Sequence, residues 1–270
     1  MTFIANARMY AVSPAAEAAW RELIAHVAGD AGVTLDYVAY PAPQPLEVLW
    51  RRTDLGCVQM CGYPIALGIA DVVPIAAPIP AAAWAEGRAV YRSDLIVRSD
   101  SRYRTLPDTF GGRFGWTVAH SHSGFNAPRH HLLHYRKAER GSLYAQSRGD
   151  LITARAVLDA VRDGSIDVGP LDAFWHMLIR KLQPDLVAGV RVLESTATAP
   201  MPAFVASPAM PADQIDALRA AFAEAASRPW FASVGEALLI RGFLPVVRED
   251  FAETLRWHDA AVAADYLQPG

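Results

Sequence analysis

The sequence predicts an α/β fold with a mainly parallel sheet in each of two units, one enclosed within the other along the chain. Three observations carry that expectation. Short apolar, strand-like runs alternate with amphipathic helical stretches over most of the sequence, the pattern of strand–helix repeats. At 270 residues the chain exceeds the usual size of a single core. Near Tyr91 a Pro- and Ala-rich stretch ends, and beyond it charged Ser99-Asp100-Ser101-Arg102 leads into a second strand-and-helix series.

Thr2 to Met9 reads as the first strand. Ser13 is a good N-cap and Pro14 suits a first helical position, so an amphipathic helix follows over Ala15 to Val27. Val33 to Tyr40 is a second strand, Pro45 to Trp50 a short helix, and Leu55 to Met60 a third strand. That strand ends in Cys61-Gly62-Tyr63-Pro64, where a glycine, an aromatic and a helix-starting proline describe a strand-to-helix junction. Val72 to Ala77 is the next strand, before a Pro- and Ala-rich loop. Tyr91 to Val97 opens the second series, followed by a short helix at Leu106 to Phe110, a strand at Phe114 to Ala119 and a His-rich helix over Gly124 to Lys137. Helix Asp150 to Arg162, strand Ile166 to Leu171, helix Ala173 to Leu182 and strand Val190 to Ser195 complete it. The terminal part, Pro211 to Ala226 and Glu249 to Ala264, is mostly helical. Lobe one is then expected over 1–91 plus 196–270 and lobe two over 92–195, with chain crossings near Tyr91 and Thr196 and a ligand cleft between the lobes.

Composition narrows the function. Hydrophobic residues at 52% against 20% charged mark a well-cored chain. Lys plus Arg at 25 against Asp plus Glu at 28 leaves no basic field to recruit nucleic acid or an anionic membrane, so any anion must be held by local geometry. Cys57 and Cys61 fit neither a C-x-x-C redox motif nor a four-ligand zinc site and are expected as buried small hydrophobes. Val72 to Ala83, the most apolar stretch, is too short to span a membrane and is broken by Pro74, Pro78 and Pro80. No basic segment followed by an apolar one opens the chain, because Arg8 arrives within the first strand. The expected location is cytoplasmic as written, or periplasmic if a signal has been removed.

The run Phe114 to Asn126 is the most informative. It reads as a buried strand that stops in Ser121-His122-Ser123-Gly124, where a helix begins. Such a junction offers unpaired N–H groups at the positive end of a helix dipole, with serine hydroxyls as further donors, and so suits an anion. The other reading is that Ser121 or Ser123 merely caps the helix. Both this junction and Cys61–Pro64 lie beyond the carboxyl ends of strands, where open α/β sheets bind ligands.

The succession of Met9-Tyr10, Cys61-Gly62-Tyr63-Pro64, Tyr91-Arg92-Ser93, Ser123-Gly124-Phe125-Asn126, Asp167-Val168-Gly169-Pro170-Leu171-Asp172 and Gly242-Phe243-Leu244-Pro245 resembles the phosphonate-binding, PhnD-like family of ABC-transporter solute-binding proteins. The resemblance covers most of the chain, from Met9 to about Pro245. It implies a two-lobed, type II periplasmic-binding-protein-like fold and a hydroxyl-rich turn, here Ser121, His122, Ser123 and Gly124, that holds phosphonate oxygens. His122 replaces a hydroxyl often found in mid-turn. Tyr10, Tyr63 and Tyr91 match aromatic or hydroxyl contacts, and Asp172 an acidic position beyond a second-lobe strand.

Each candidate keeps a plainer alternative. Asn126 braces its loop or faces ligand; Tyr10 and Tyr63 face ligand or pack; Tyr91 contacts ligand or packs at a crossing; Asp172 binds an amine or caps the following helix. His120, His122, His130, His131 and His134 cluster in sequence, but no His-Glu-x-x-His is present and a polar helix face accounts for them better than a metal site. Ser123-Gly124 lacks the Gly-x-Ser-x-Gly elbow, and Gly111-Gly112 leads to no Walker lysine. The expectation is a monomeric, non-enzymatic solute-binding protein without cofactor or metal. It would capture a small oxyanion, with Ser121, Ser123 and the N–H groups of Gly124 and Phe125 as cradle, for an ABC-transporter permease. The alternatives are a cytoplasmic ligand sensor or biosynthetic protein on the same fold and, as a minor one, a metal-dependent enzyme using the histidines.

Overall fold

In the computed structural model, which describes residues 2–136 and 142–270, the chain divides into two compact units. Unit 1 comprises Met1–Val90 and Pro200–Ala252, and unit 2 comprises Tyr91–Ala199 and Glu253–Gly270. The elements run β1 (Phe3–Asn6), α1 (Pro14–Ala31), β2 (Leu35–Tyr37), α2 (Leu46–Trp50), β3 (Leu55–Met60), α3 (Gly62–Leu67) and β4 (Val73–Pro80). They continue as β5 (Val90–Tyr91), β6 (Ser93–Arg98), β7 (Arg113–Gly115), α4 (Ala127–Leu132), β8 (Gln146–Arg148), α5 (Ala154–Arg162), β9 (Gly169–Asp172), α6 (Ala173–Leu182) and β10 (Val190–Ser195). The chain closes with β11 (Ala199–Pro200), β12 (Ala203–Ala206), α7 (Ala212–Glu224), α8 (Phe231–Leu238), β13 (Ile240–Pro245) and α9 (Ala252–Ala263).

Unit 1 is built on a sheet of order β13-β4-β12-β3-β1-β2. β1 pairs parallel with β2 and β3, whereas β12 and β13 come from the returning chain and pair antiparallel with β3 and β4. α1 forms where expected: Ser13 accepts from the Ala16 N–H at 3.2 Å, Pro14 opens the helix, and Gly32 ends it in the left-handed region at φ 65°. It buries Trp20, Leu23, Ile24 and Val27. β4 extends through Pro74, Pro78 and Pro80, a stretch expected as a loop from Pro78 onward. Its neighbours tolerate the missing donors beside register shifts at Phe204/Val205 and Ile240/Gly242.

Unit 2 carries the sheet β10-β6-β9, in which both pairs are antiparallel, and a short parallel pair of β7 with β8. The mainly parallel sheets expected from the alternation are therefore mixed in unit 1, and in unit 2 the three-stranded sheet is antiparallel. Alternation reports that strands and helices take turns, but strand direction is set by where each connection returns, and that leaves no local trace.

A second correction concerns the C-terminus. Residues 253–270, expected in lobe one, belong to unit 2. Trp257, Ala261 and Tyr266 are buried, and Tyr266 joins a core with Leu95, Val97, Phe114, Trp116 and Phe125. Arg129 Nη1 donates to the Leu267 carbonyl at 3.1 Å, and Ser147 Oγ donates to that of Pro269. A third strand–helix correction lies at the turn: β7 stops at Gly115, and the expected Gly124–Lys137 helix is instead a π-turn at His122–Asn126, then α4, then a 3₁₀ turn at Leu133–Tyr135; Lys137 lies outside the described residues.

Candidate functional site

The turn after β7 is built by its own side chains. Ser121 is extended at φ −79° and ψ 132°, and its Oγ accepts from the Gly124 N–H at 3.0 Å, which makes Ser121 the N-cap. The Ser121 carbonyl accepts from the Asn126 N–H at 3.0 Å, and the Gly124 carbonyl accepts from the Thr117 N–H at 3.3 Å. Gly124 is required here, because a Cβ would lie 1.9 Å from Thr117 Oγ1. From His122 to Tyr135 the chain is continuously helical, so the turn stands at a helix start.

Ser93, the first residue of β6, donates its hydroxyl to the Ser123 carbonyl at 2.9 Å. Ser93 also pairs in register with Asp172 at the end of β9. Asp172 Oδ1 accepts from the N–H groups of Phe174 and Trp175 at 2.9 and 3.0 Å, so it caps α6. Of the two readings open for Asp172, the cap is the one this geometry contains.

Behind the turn, Asn126 is fully buried. Its Nδ2 donates to the Thr254 carbonyl at 2.8 Å and meets His122 Nδ1 at 3.2 Å, while its Oδ1 accepts from Arg129 Nη2 at 3.1 Å. Asn126 therefore braces the turn against the C-terminal segment. The amide donor facing Nδ1 assigns the His122 proton to Nε2. Burial, with His130 close by, pushes the His122 pKa down to about 3, so the ring is neutral. It lies against Tyr91 at 5.9 Å and against Trp257 at 5.1 Å, and His130 stacks on Trp257 at 4.8 Å. These two imidazoles are thus packing partners of one indole rather than part of a polar helix face. Phe125 packs edge-on against Trp116 at 4.9 Å and carries the Arg129 guanidinium over its ring at 4.8 Å.

The structure thus brings Tyr91, the Ser121–Asn126 turn and Asp172 into one network of unit 2. Tyr10 and Tyr63 are both buried in unit 1, at 1% and 2% exposure, with Tyr63 inside α3 and the Tyr10 carbonyl accepting from Trp20 Nε1. One correction to the expected cradle follows: the Gly124 N–H is engaged by Ser121 Oγ. The Ser121 hydroxyl still has its proton to donate, since accepting uses only a lone pair.

Among the described residues no group of three His, Cys, Asp or Glu side chains is placed to hold a metal ion. Ser195 and His176 each bond a different oxygen of Asp94, at 2.8 and 2.9 Å. Cys57 and Cys61 are buried free thiols, and burial raises the Cys57 pKa. No helix among the described residues is long and apolar enough to cross a membrane.

Sequence reasoning missed three residues. Ser93 and Thr117 shape the turn from other segments. Gln59, at 2% exposure near the end of β3, has neither Nε2 nor Oε1 hydrogen-bonded among the described residues. A buried group left that way costs ~1–3 kcal/mol. The one available signal was a lone polar residue in the otherwise apolar run Leu55–Met60.

Comparisons with known proteins agree with the architecture. Residues 10–251 match the model of a family described as ABC transporter, phosphonate, periplasmic substrate-binding protein. Nothing among the curated proteins matches the chain. Among solved structures, a binding-protein component of an ABC phosphonate transporter from Pseudomonas aeruginosa superposes with a TM-score of 0.78 at 15% identity, over 95% of this chain and 85% of that one. PhnD1 from Prochlorococcus marinus, in complex with methylphosphonate, gives 0.77 at 12% identity over 98% of both chains. A Xanthomonas citri protein bound to ATP gives 0.65 at 20% identity, over 96% of this chain and 98% of that one. The fold is the α/β type II periplasmic-binding-protein fold, with mixed sheets.

Proposed function

Because the chain belongs to the phosphonate-binding family of ABC-transporter periplasmic substrate-binding proteins, we propose that it captures a small oxyanion, a phosphonate, phosphate or related compound, and presents it to a membrane permease. The observation that carries the reading is the Ser121–Gly124 turn. Its backbone is held by Ser121, Thr117 and Ser93 at the start of a helical run, and the Ser121 and Ser123 hydroxyls supply donors whose protons are not consumed in the turn's backbone hydrogen bonds. A binding protein needs a cradle fixed before the ligand arrives, because rigidity lowers the ordering cost of association.

His122 adds a constraint on chemistry. A neutral, buried imidazole contributes no charge, so His122 itself offers the anion no cation and the turn meets it with hydroxyl donors and the helix dipole. Calorimetry with methylphosphonate and inorganic phosphate tests the reading. Ser123→Ala weakens binding by about 1.5–3 kcal/mol, the range for hydrogen bonds to charged groups, while the fold keeps its stability. A parent protein that binds neither anion, or a Ser123→Ala variant that binds as the parent does, defeats it.

A further inference from the structure

The Arg129 guanidinium joins stretches of unit 2 that the sequence keeps far apart. Arg129 lies on α4, one helical turn after Asn126, and is 2% exposed. Its Nη2 donates to Asn126 Oδ1 at 3.1 Å and to His258 Nδ1 on α9 at 3.0 Å, and its Nη1 donates to the Leu267 carbonyl at 3.1 Å. The same group lies over the Phe125 ring at 4.8 Å. One side chain thus grips the last two residues of the turn, Phe125 and Asn126, and ties them to two points of the segment 253–270. Asn126 passes the hold on: its N–H donates to the Ser121 carbonyl at 3.0 Å, and its Nδ2 donates to the Thr254 carbonyl at 2.8 Å. Burying a guanidinium is costly unless acceptors meet its N–H groups. Here the acceptors come from three separate stretches, so the rigid fork fixes their spacing as well as its own place.

We propose that Arg129 is a positioning residue for the oxyanion turn: it uses residues 253–270 as a splint that holds Phe125 and Asn126 in place, and His258 makes that hold sensitive to protons. This deepens the oxyanion-binding reading above and rests on it. A guanidinium only donates, so His258 Nδ1 is the acceptor and the ring proton sits on Nε2. A proton arriving at Nδ1 removes that acceptor and sets an imidazolium against the guanidinium at 3.0 Å. The charged groups felt at His258 are Arg129 from α4 and Asp259 beside it on α9, while Arg129 itself also faces His130 on α4 and Tyr266 of the C-terminal segment. His258 is partly exposed, so solvent protons reach it. Burial and then Arg129 hold its pKa below the usual imidazole value, against the opposing pull of Asp259, so the ring is neutral at neutral pH and the splint is intact there. Acid removes the His258 contact, the guanidinium shifts, and the turn loses its support at Asn126.

Methylphosphonate binding is measured by calorimetry on the parent, Arg129→Met, Arg129→Lys and His258→Asn, from about pH 7.5 to about pH 5, a range that brackets imidazole titration. NMR on the ligand-free parent follows the His258 ring and the exchange protection of the Gly124 and Asn126 amides over the same range, so the test survives an Arg129 variant that fails to fold. Arg129→Met binds about ten-fold more weakly, the loss expected of a hydrogen bond to a charged group, and Arg129→Lys, which keeps the charge without the fork, also binds more weakly than the parent. Asparagine at 258 keeps an acceptor at every pH, so the ratio of variant to parent affinity rises by about five-fold or more toward acid; the ligand's own ionisation cancels in that ratio. In the parent, the two turn amides lose protection at the midpoint of the His258 titration. A turn whose protection ignores that titration, or an affinity ratio that stays flat with pH, overturns this inference alone and leaves the oxyanion reading standing. Arg129→Lys at full affinity also overturns it, since charge and not position is then what the turn needs. A parent that binds no methylphosphonate overturns both.

Discussion

Two strand-to-helix junctions look alike in sequence and differ in construction. At the end of β3, Cys61-Gly62-Tyr63 turns into α3 through packing: a Cβ on Gly62 would lie 2.4 Å from Phe251 Cδ1, and Phe251 is fully buried. Beyond β7, the Ser121–Asn126 turn is made by hydrogen bonds from Ser93, Ser121, Thr117 and Asn126, and its glycine yields to a hydroxyl instead of a ring. A glycine at a junction reports close approach; what approaches, a ring or a hydroxyl, separates an apolar packing joint from a hydrogen-bonded turn.

The largest effects come from filling those glycines. Gly62→Ala forces a methyl group into Phe251 and lowers stability by about 2–3 kcal/mol, the overpacking range, and Phe251→Leu in the same chain recovers part of it. Gly124→Ala costs a similar amount and in addition moves the turn, so oxyanion affinity falls; Thr117→Ala recovers part of both. Denaturant unfolding and calorimetry on the four variants check this. Gly124→Ala at full stability and full affinity would sink the account of the turn.

Acid separates the two regions next. His26 is in unit 1, whereas His120, His122, His130, His131, His134, His176 and His258 are in unit 2. Burial lowers the pKa of His122 to about 3 and also lowers those of His130, His131 and His258. With folded-state values below the unfolded one of ~6.5, the unfolded chain binds more protons in acid. The stability His122 contributes is present above about pH 6.5 and is lost as pH falls toward 3, by up to ~1.4 kcal/mol per pH unit, and His130, His131 and His258 act in the same direction. Amide exchange at pH 5 therefore accelerates in unit 2 before unit 1, and His122→Gln flattens the acid limb of a urea-derived stability profile. Uniform acceleration in both units contradicts the assignment.

The Ser121–Asn126 turn was legible as a helix start because its chemistry is local: Ser121, Ser123 and Gly124 stand together, and hydroxyl, glycine and helix start imply one another. α1 was legible for the same reason, since Ser13 and Pro14 mark its start within two residues. Strand direction, the docking of residues 253–270 on unit 2, and the support from Ser93 and Thr117 were not, because each depends on partners distant in sequence. The end of β4 was not legible either, because Pro78 and Pro80 read as a loop when the strands beside them are unknown. Capping gives the next test down in size: Ser121→Ala removes the acceptor for the Gly124 N–H and costs ~1 kcal/mol in stability, and it weakens oxyanion binding by loosening the same turn. If stability alone changed, Ser121 would be only a cap.

Asp172 gives the smallest effect on stability and the sharpest on selectivity. Its Oδ1 holds the Phe174 and Trp175 N–H groups, and asparagine accepts at an N-cap about as well as aspartate, so Asp172→Asn shifts stability by a few tenths of a kcal/mol. The charge is another matter. A carboxylate on the strand paired with Ser93, which itself holds the Ser123 carbonyl, repels a bare anion at the turn and attracts an ammonium on the same ligand. If Asp172 serves the ligand as well as α6, an aminoalkylphosphonate binds more tightly than its alkyl analogue, and Asp172→Asn abolishes that difference while raising affinity for the alkyl compound. Calorimetry of both ligands on both proteins decides it. An unchanged ratio leaves Asp172 as a helix cap alone.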